Sequence, residues 1–231
     1  MRVEELAKTF DHTVLGPRAT TADVSRACDE ALEHHFASVC AHPWFVPLMV
    51  ERLRPSDVKV CTVVAFPYGA ELPQAKIAAA EVAVAAGADE LDVVMNVPAM
   101  LSGDFVAARD ELVGLVRAVR ARAVNDSRGM VIVKVIIEAP YLDDKVVRLA
   151  CKIVADSGAD FAKTASGVGT QATVHDVEVM RDALPEGVGV KAAGGIRTLE
   201  DSEAMINAGA SRLGSSSAVR IVQELERTGV G

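Results

Sequence analysis

Gly158-Ala159-Asp160-Phe161-Ala162-Lys163-Thr164-Ala165-Ser166-Gly167 holds, in one short stretch, a helix end, an apolar strand and a glycine-containing loop. Its first three residues recur as Gly87-Ala88-Asp89 and, with one change, as Gly209-Ala210-Ser211. A glycine at such a point ends a helix in the left-handed conformation before the chain enters a strand. The three triplets therefore predict three joints at which a helix passes into a β-strand.

Short apolar runs alternate with longer helical stretches along the chain, which is typical of parallel strands joined by helical crossovers. Threonines at 20, 173 and 198, each followed three residues later by aspartate, resemble capping boxes and mark helix starts. The predicted strands are 10–15, 38–41, 59–65, 90–96, 130–138, 161–164, 189–193 and 211–214. Eight such units predict the α/β class and a single (β/α)8 TIM barrel domain over residues 1–231, with a doubly wound open sheet as the alternative.

Composition narrows the possible partners. With 24 basic and 32 acidic residues the net charge is −8, which disfavours nucleic acid and anionic membranes as partners. No apolar run reaches the roughly 18 residues of a membrane span, and the first residues lack the apolar core of a signal peptide. Four scattered cysteines form no C-x-x-C pair and are expected to be reduced thiols. A cytoplasmic protein is expected.

Four charged residues interrupt the apolar strands: Asp92, Lys134, Lys163 and Lys191. Because barrel strands are covered by helices outside, a charge within one must point into the barrel or its mouth. One acid and three bases could form an ion-pair network that only fixes packing. A second ammonium beside Lys163, however, favours its neutral, nucleophilic form, which Schiff-base chemistry requires.

Three glycine- or serine-rich loops follow the last three predicted strands: 166–169, 194–197 and 214–217. Loops of this kind offer backbone N–H groups, and the serine run also opens a helix whose amino end favours an anion. Such loops often hold phosphate in these barrels, although a glycine pair alone is often only a tight turn. The predicted phosphate-binding residues are Gly167, Gly194, Gly195, Gly214, Ser216 and Ser217.

Signals for metals and cofactors are missing. The five histidines form neither an H-x-H nor an H-E-x-x-H arrangement, and there is no dinucleotide-binding fingerprint. We therefore expect no metal and no cofactor.

The ordered motifs resemble those of the deoxyribose-phosphate aldolases, class I lyases that use a lysine Schiff base. The resemblance runs nearly end to end and is carried by the segments 11–15, 37–40, 66–69, 87–92, 134–136, 158–167, 191–198 and 209–217. It implies that Lys163 forms the Schiff base and that Asp92 and Lys191 assist proton transfer. It also implies that the late loops bind the 5-phosphate of 2-deoxy-D-ribose 5-phosphate, which is cleaved to D-glyceraldehyde 3-phosphate and acetaldehyde.

Other residues are expected in supporting roles. Lys134 is expected to orient Asp92, and Asp11 and Thr13 to hold substrate hydroxyls, with a turn or capping role as the alternative. Cys40 and Thr164 belong to the same set through the shared motifs. In this chain the family motif K-T-S-T-G reads Lys163-Thr-Ala-Ser-Gly and K-A-S-G-G reads Lys191-Ala-Ala-Gly-Gly, changes that bear on phosphate affinity more than on reaction type.

Three alternatives define the range of functions that these patterns allow. Besides the deoxyribose-phosphate reaction, the chain could be another Schiff-base phosphosugar aldolase on the same barrel, or a non-catalytic barrel that binds phosphosugars. The expected partners are small phosphosugars and aldehydes, and a homodimer is expected from the size of the barrel.

Overall fold

The computed structural model describes residues 1–127 and 129–229. Eight parallel strands close into a barrel in which each pairs with its neighbours in the chain and the last pairs with the first. The strands are β1 (Phe10–Val14), β2 (Ser38–Ala41), β3 (Lys59–Val64), β4 (Glu90–Val94), β5 (Ile132–Ile136), β6 (Phe161–Lys163), β7 (Gly189–Ala193) and β8 (Arg212–Ser215). This confirms the predicted fold class, and the open sheet is wrong.

Helices cover the outside of the barrel and connect successive strands. They are α1 (Val3–Ala7), α2 (Thr21–His34), α3 (Val46–Leu53), α4 (Pro73–Ala86), α5 (Val97–Leu101), α6 (Phe105–Asn125), α7 (Asp144–Ser157), α8 (Val174–Ala183), α9 (Leu199–Asn207) and α10 (Ala218–Arg227). Short 3₁₀ turns at Pro43–Phe45 and Ala139–Tyr141 follow β2 and β5. Within the described part of the chain, no helix is both long enough and apolar enough to cross a membrane.

The predicted joints and helix starts are confirmed. Gly87, Gly158 and Gly209 have φ values of 115°, 79° and 110°, a region that favours glycine, and each stands between a helix and the next strand. The side chains of Thr20, Thr173 and Thr198 each accept the backbone N–H of the aspartate three residues later. These local signals therefore set the order in which helices and strands alternate.

Two predicted strands, 38–41 and 189–193, have the observed bounds, and the others differ by a few residues. The largest difference is at β5, where the predicted run 130–138 shortens to Ile132–Ile136. Met130 is 73% exposed before the strand, and Glu138 turns the chain out of it with φ of 52°. Because apolar residues continue past both ends of the paired segment, the predicted strand is longer than the observed one.

Alternation along the strands separates two environments. Val93, Val133, Val135 and Val190 are buried in the main apolar cluster that includes the helices. The residues between them point the other way, into the barrel, because successive side chains of a strand face opposite sides. The register places Asp92 beside Lys134 and Lys163 beside Lys191. The barrel interior thus carries charge where the outer layer is apolar.

Candidate active site

The carboxylate of Asp92 lies at the centre of the barrel interior and binds three ammonium groups. Its Oδ2 accepts hydrogen bonds from Lys163 Nζ at 2.8 Å and from Lys191 Nζ at 2.6 Å. Its Oδ1 accepts from Lys134 Nζ at 3.0 Å. Lys163 is 3% exposed and the other three residues are fully buried. The structure therefore brings together all four charged strand residues that the sequence singled out.

A second layer of charges, formed by Asp11, Glu90 and Arg212, lies against these lysines, and the sequence analysis predicted only Asp11 among them. Lys134 Nζ lies 2.6 Å from Glu90 Oε2 and 3.2 Å from Asp11 Oδ2, and Lys191 pairs with Asp11 as well. Arg212 binds both Asp11 and Glu90, the latter at 2.7 Å. The expected ratio of one acid to three bases is therefore wrong: among the described residues, three acids face four bases.

A signal for the missed residues was present in the sequence. Glu90 and Asp92 are two residues apart in one strand, so they must face the same side. Arg212 likewise lies two residues before Gly214, in the strand that pairs with the one holding Asp11. Glu90 and Arg212 each open their strand, and the closed barrel buries Glu90 and leaves the Arg212 side chain 13% exposed.

The lining that the described residues give the cavity does not include Asp11, whose role in holding substrate hydroxyls stays a prediction. Asp11 is fully buried, and its Oδ1 accepts from Ser38 Oγ at 2.8 Å and from Arg212 Nε at 3.0 Å. Thr13, one alternation further along the strand, lines the cavity at the barrel mouth, and its Oγ1 donates to the Asp11 carbonyl at 2.9 Å. Asp11 thus neutralises buried cations, and Thr13 is the residue placed to meet a ligand.

Mutual pairing keeps the buried groups ionised. Burial alone would raise the pKa of Asp92, but Lys134, Lys163 and Lys191 outweigh it and hold that pKa well below its ordinary value. Burial likewise opposes the shift at Asp11, where Lys134, Lys191 and Arg212 lower the pKa. Burial would lower the pKa of Lys134 and of Lys191, yet the carboxylates of Asp11 and Asp92 raise both. Lys134 and Lys191 therefore remain ammonium groups.

The supporting residues Cys40 and Thr164 touch the network and the barrel wall. Cys40 Sγ lies 4.0 Å from Asp92 Oδ2, and Cys61 Sγ donates to Asp92 Oδ1 at 3.4 Å. Burial raises the pKa of the Cys61 thiol, which keeps it protonated. Thr164 is fully buried, where its Oγ1 donates to the Ala193 carbonyl at 3.1 Å and accepts the Ala193 N–H at 3.0 Å. Thr164 thus joins β6 to β7 and keeps the two lysine strands in register.

A cavity of about 710 Å³ opens at the carboxyl ends of the strands. Of the charged network within the described residues, Lys163 is the member that lines it. The predicted phosphate residues Gly167, Gly194, Gly195, Gly214 and Ser216 line it too. The amine and the three loops therefore face one space.

Two of the predicted phosphate residues make further contacts. Ser217 does not belong to the lining that the described residues form, and its N–H donates to Ser215 Oγ at 2.9 Å, so that its part in phosphate binding stays a prediction. A Cβ at Gly214 would lie 2.9 Å from Ala193 Cβ and 3.3 Å from Lys191 Cε. The absence of a side chain at Gly214 thus makes room for Lys191 as well as for a ligand.

Three further residues at the mouth were not predicted. Arg18 and Arg197 line the cavity and bring two guanidinium groups to it. Glu138 is 2% exposed, and its carboxylate accepts the Ser166 N–H at 2.6 Å and the Thr170 hydroxyl at 2.8 Å. Glu138 therefore holds the loop that follows Lys163, and a glutamate at the end of a buried strand was the available signal.

Two sets of donor atoms are close enough to share a metal ion: Cys40, Cys61 and Asp92, and Asp11, Cys61 and Glu90. The carboxylates of both sets already bind ammonium or guanidinium groups. A cation would have to displace these charges in order to bind. The arrangement suits an amine that reacts, with a carboxylate beside it that moves protons.

Comparisons with known proteins agree with this chemistry. A family model described as DeoC/LacD family aldolase matches residues 6–224. A deoxyribose-phosphate aldolase of Caldanaerobacter subterraneus subsp. tengcongensis is 47% identical over 227 residues, which cover 98% of this chain and 96% of that one. One from Caldicellulosiruptor saccharolyticus is 46% identical, covering 97% of this chain and all of its own.

A solved structure with the same fold comes from Aeropyrum pernix. It is a tetrameric deoxyribose phosphate aldolase with a TM-score of 0.89 and 34% identity, covering 98% of this chain and 93% of that chain. Orotidine 5'-phosphate decarboxylase from Pyrococcus horikoshii, at 14% identity and a TM-score of 0.62, shares the fold alone.

The Asp92 contacts predict a large stability effect. Asp92→Asn should lower the free energy of unfolding at pH 7 by about 3–5 kcal/mol, because it leaves three buried ammonium groups around a neutral amide. The lowered pKa of Asp92 stabilises the fold above the ordinary carboxyl pKa of about 3.9, and this contribution is lost as the pH falls through the lower folded-state pKa. The free energy of unfolding of the variant should therefore fall less than that of the wild type as the pH is lowered.

Urea unfolding at pH 7 and at acidic pH measures both effects. Asp110→Asn serves as the control, since Asp110 is exposed and pairs with exposed Arg109, and should change stability by no more than about 0.5 kcal/mol. An Asp92→Asn protein as stable as the control variant would show that the network contributes nothing to folding.

Proposed function

Because the chain belongs to the DeoC/LacD family of aldolases, we propose that it reversibly cleaves 2-deoxy-D-ribose 5-phosphate to D-glyceraldehyde 3-phosphate and acetaldehyde. The enzyme is a lyase, and Lys163 is its nucleophile. One observation carries the assignment. Lys163 lines the cavity and shares a single oxygen of Asp92 with a second ammonium, that of Lys191.

Lys191 prepares the amine for attack. Two ammonium groups on one carboxylate oxygen repel each other, so the pair is relieved when Lys163 gives up its proton. Lys191 keeps its own charge because it binds both Asp11 and Asp92. The neutral Lys163 then attacks the C1 aldehyde of the open-chain sugar, and loss of water leaves a protonated imine.

Cleavage follows from the electron demand of that imine. The bond between C2 and C3 breaks, its electron pair moves to the imine as an enamine of acetaldehyde, and the C3 hydroxyl loses its proton to become the aldehyde of glyceraldehyde 3-phosphate. Asp92, directly or through a water molecule, is the base for that proton and later returns a proton to C2 of the enamine. Hydrolysis of the imine releases acetaldehyde and restores Lys163.

The loops after the last three strands supply the phosphate site. Gly194 and Gly195 have φ values of 100° and 85°, a conformation that lets the loop backbone approach a ligand closely. Ser216 lies at the cavity just before α10, whose amino end adds positive partial charge. Arg18 and Arg197 give the same space positive charge. Binding energy from the phosphate then fixes the sugar against Lys163.

We also propose that the 231 residues form one barrel domain that acts in the cytoplasm without a metal or cofactor. The barrel elements run from Val3 to Arg227, and all four cysteines are free and buried. Free thiols agree with a reducing compartment.

A homodimer is proposed as the assembly, since closed symmetric dimers are the commonest oligomers. Light scattering coupled to size-exclusion chromatography should give about twice the chain mass of 24.3 kDa. The Aeropyrum pernix relative is tetrameric, and a mass near four chains would replace the dimer with that assembly.

Borohydride should trap the intermediate on Lys163. With acetaldehyde present, reduction should add a two-carbon group to Lys163, because only that lysine of the network lines the cavity within the described residues. Peptide mass mapping locates the adduct, and Lys163→Arg should abolish both the adduct and turnover. The internal control is Lys76, a buried lysine paired with Glu111 outside the barrel interior, which should stay unmodified. An adduct found only at other lysines would refute the role of Lys163, and inhibition by a chelator would refute the metal-free mechanism.

Ser216→Glu should weaken the binding of the phosphorylated sugar more than that of the unphosphorylated sugar. A carboxylate beside the proposed dianion site should raise KM for deoxyribose 5-phosphate by about tenfold or more and should affect unphosphorylated deoxyribose much less. Comparing kcat/KM for the two sugars isolates the loop from general damage to the protein. Ser211→Glu is the control, since Ser211 is exposed at the entry of β8, at the end of the barrel away from the mouth, and should change the ratio little. Equal losses for both sugars in a folded Ser216→Glu protein would place the phosphate elsewhere.

A further inference from the structure

We propose that buried Glu90 and partly buried Arg212, which lie away from the substrate cavity, are positioning residues whose opposite charges set the pH range in which Lys163 reacts. The inference rests on the proposed Schiff-base function and deepens it. It assigns to the second layer of charges a task beyond the packing of the barrel.

Both residues connect to Lys163 through continuous short contacts. Glu90 Oε2 lies 2.6 Å from Lys134 Nζ, which lies 3.0 Å from Asp92 Oδ1, and the other oxygen of Asp92 binds Lys163 at 2.8 Å. Arg212 binds Asp11, and Asp11 binds Lys191, which shares Asp92 Oδ2 with Lys163. A change at Glu90 therefore reaches Lys163 through Lys134 and Asp92, and a change at Arg212 reaches it through Asp11, Lys191 and Asp92.

Neither residue is placed to touch the substrate. The lining that the described residues give the cavity includes neither Glu90 nor Arg212. Glu90 faces a separate opening, together with Arg54 and Lys59 at the strand entries. The Arg212 guanidinium stands over the Phe161 ring, 5.9 Å from its centroid. Any effect on catalysis must therefore pass through the charge network.

Ionisable groups reach this network from every strand. They are Asp11 on β1, Cys40 on β2, Cys61 on β3, Glu90 and Asp92 on β4, Lys134 on β5, Lys163 on β6, Lys191 on β7 and Arg212 on β8. Counted over the lysines, the arginine and the carboxylates of this set, four cations face three anions, and one positive charge is in excess.

Lys163 is the cation that gives up this excess charge. Within residues 1–127 and 129–229 its only carboxylate partner is Asp92, whereas Lys191 and Arg212 have two each and Lys134 has three. Lys163 also borders the cavity, where its proton can leave. The charge of the second layer therefore decides how readily Lys163 becomes neutral.

Substitutions of opposite sign test this directly. Glu90→Gln removes a negative charge, which increases the positive excess, so Lys163 should be neutral at lower pH. Arg212→Met removes a positive charge and should have the opposite effect. The acid limb of the profile of kcat/KM against pH should move by about one pH unit, downward for Glu90→Gln and upward for Arg212→Met.

The chosen side chains limit structural damage. Glu90 Oε1 has no hydrogen-bond partner among the described residues, so the amide nitrogen of glutamine can occupy that position while the oxygen keeps Lys134 and Arg212. Methionine keeps much of the apolar stem of Arg212 against Phe161. Arg212→Lys retains the charge and should leave the limb near its wild-type position.

The measurement is acetaldehyde release from deoxyribose 5-phosphate across pH, with thermal unfolding as the check on folding. The double variant Glu90→Gln/Arg212→Met restores the charge balance and should return the limb towards the wild type. Glu111→Gln, which disrupts the buried Lys76 pair outside the barrel interior, is the control and should leave the limb unmoved.

Shifts of opposite sign, cancelled in the double variant, support the proposal. Shifts of the same sign, or loss of activity with an unmoved limb in folded proteins, would mean that the two residues only hold the barrel together. If Arg212→Met does not fold, the Glu90→Gln variant alone tests the proposal. An acid limb that keeps its wild-type pH, or moves to higher pH, would then overturn the proposal. A wild-type protein without turnover or a borohydride adduct would refute the proposed function, and with it this inference. Turnover with a Lys163 adduct, combined with unmoved variants, refutes the inference alone.

Discussion

Three ammonium groups around one buried carboxylate are the constraint on which the rest of this barrel depends. An ion taken out of water is costly, and the cost is met here because every buried cation has a carboxylate within contact distance. That arrangement needs β4, β5, β6 and β7 in the observed register, with Asp92 beside Lys134 and Lys163 beside Lys191. The hydrogen-bonded ladder of the sheet and the chemistry of its interior are therefore set by the same alignment.

The barrel interior divides into a region at the mouth, which is open to solvent, and a region below it, in which buried charges pair with one another. At the mouth, glycine-rich loops and exposed arginines present donors to a cavity that admits solvent and ligand. Below it, acids and bases are packed against one another without reaching that cavity. Lys163 lies where the two regions meet. Its amine therefore borders the cavity on one side and binds the Asp92 carboxylate on the other.

The same fold carries different chemistry in other proteins, as the likeness to orotidine 5'-phosphate decarboxylase at 14% identity shows. The activity of this chain therefore follows from particular side chains on the barrel. Three other residues keep these side chains in place. Gly214 leaves space for Lys191, Thr164 joins β6 to β7, and Glu138 holds the loop that follows Lys163.

The sequence by itself determined the order of helices and strands, because glycine joints and threonine caps act within a few residues of the chain. It also identified Asp92, Lys163 and Lys191, since a charge in the middle of an apolar strand has few explanations. Only the tertiary structure decided the places of Glu90, Arg212, Asp11 and Ser217. A charge at a strand entry looks solvent-exposed until neighbouring strands close over it. How deep a side chain lies below the mouth depends on how all eight strands are staggered around the barrel. The same stagger decides which backbone N–H groups already donate to other side chains, and no local pattern records it.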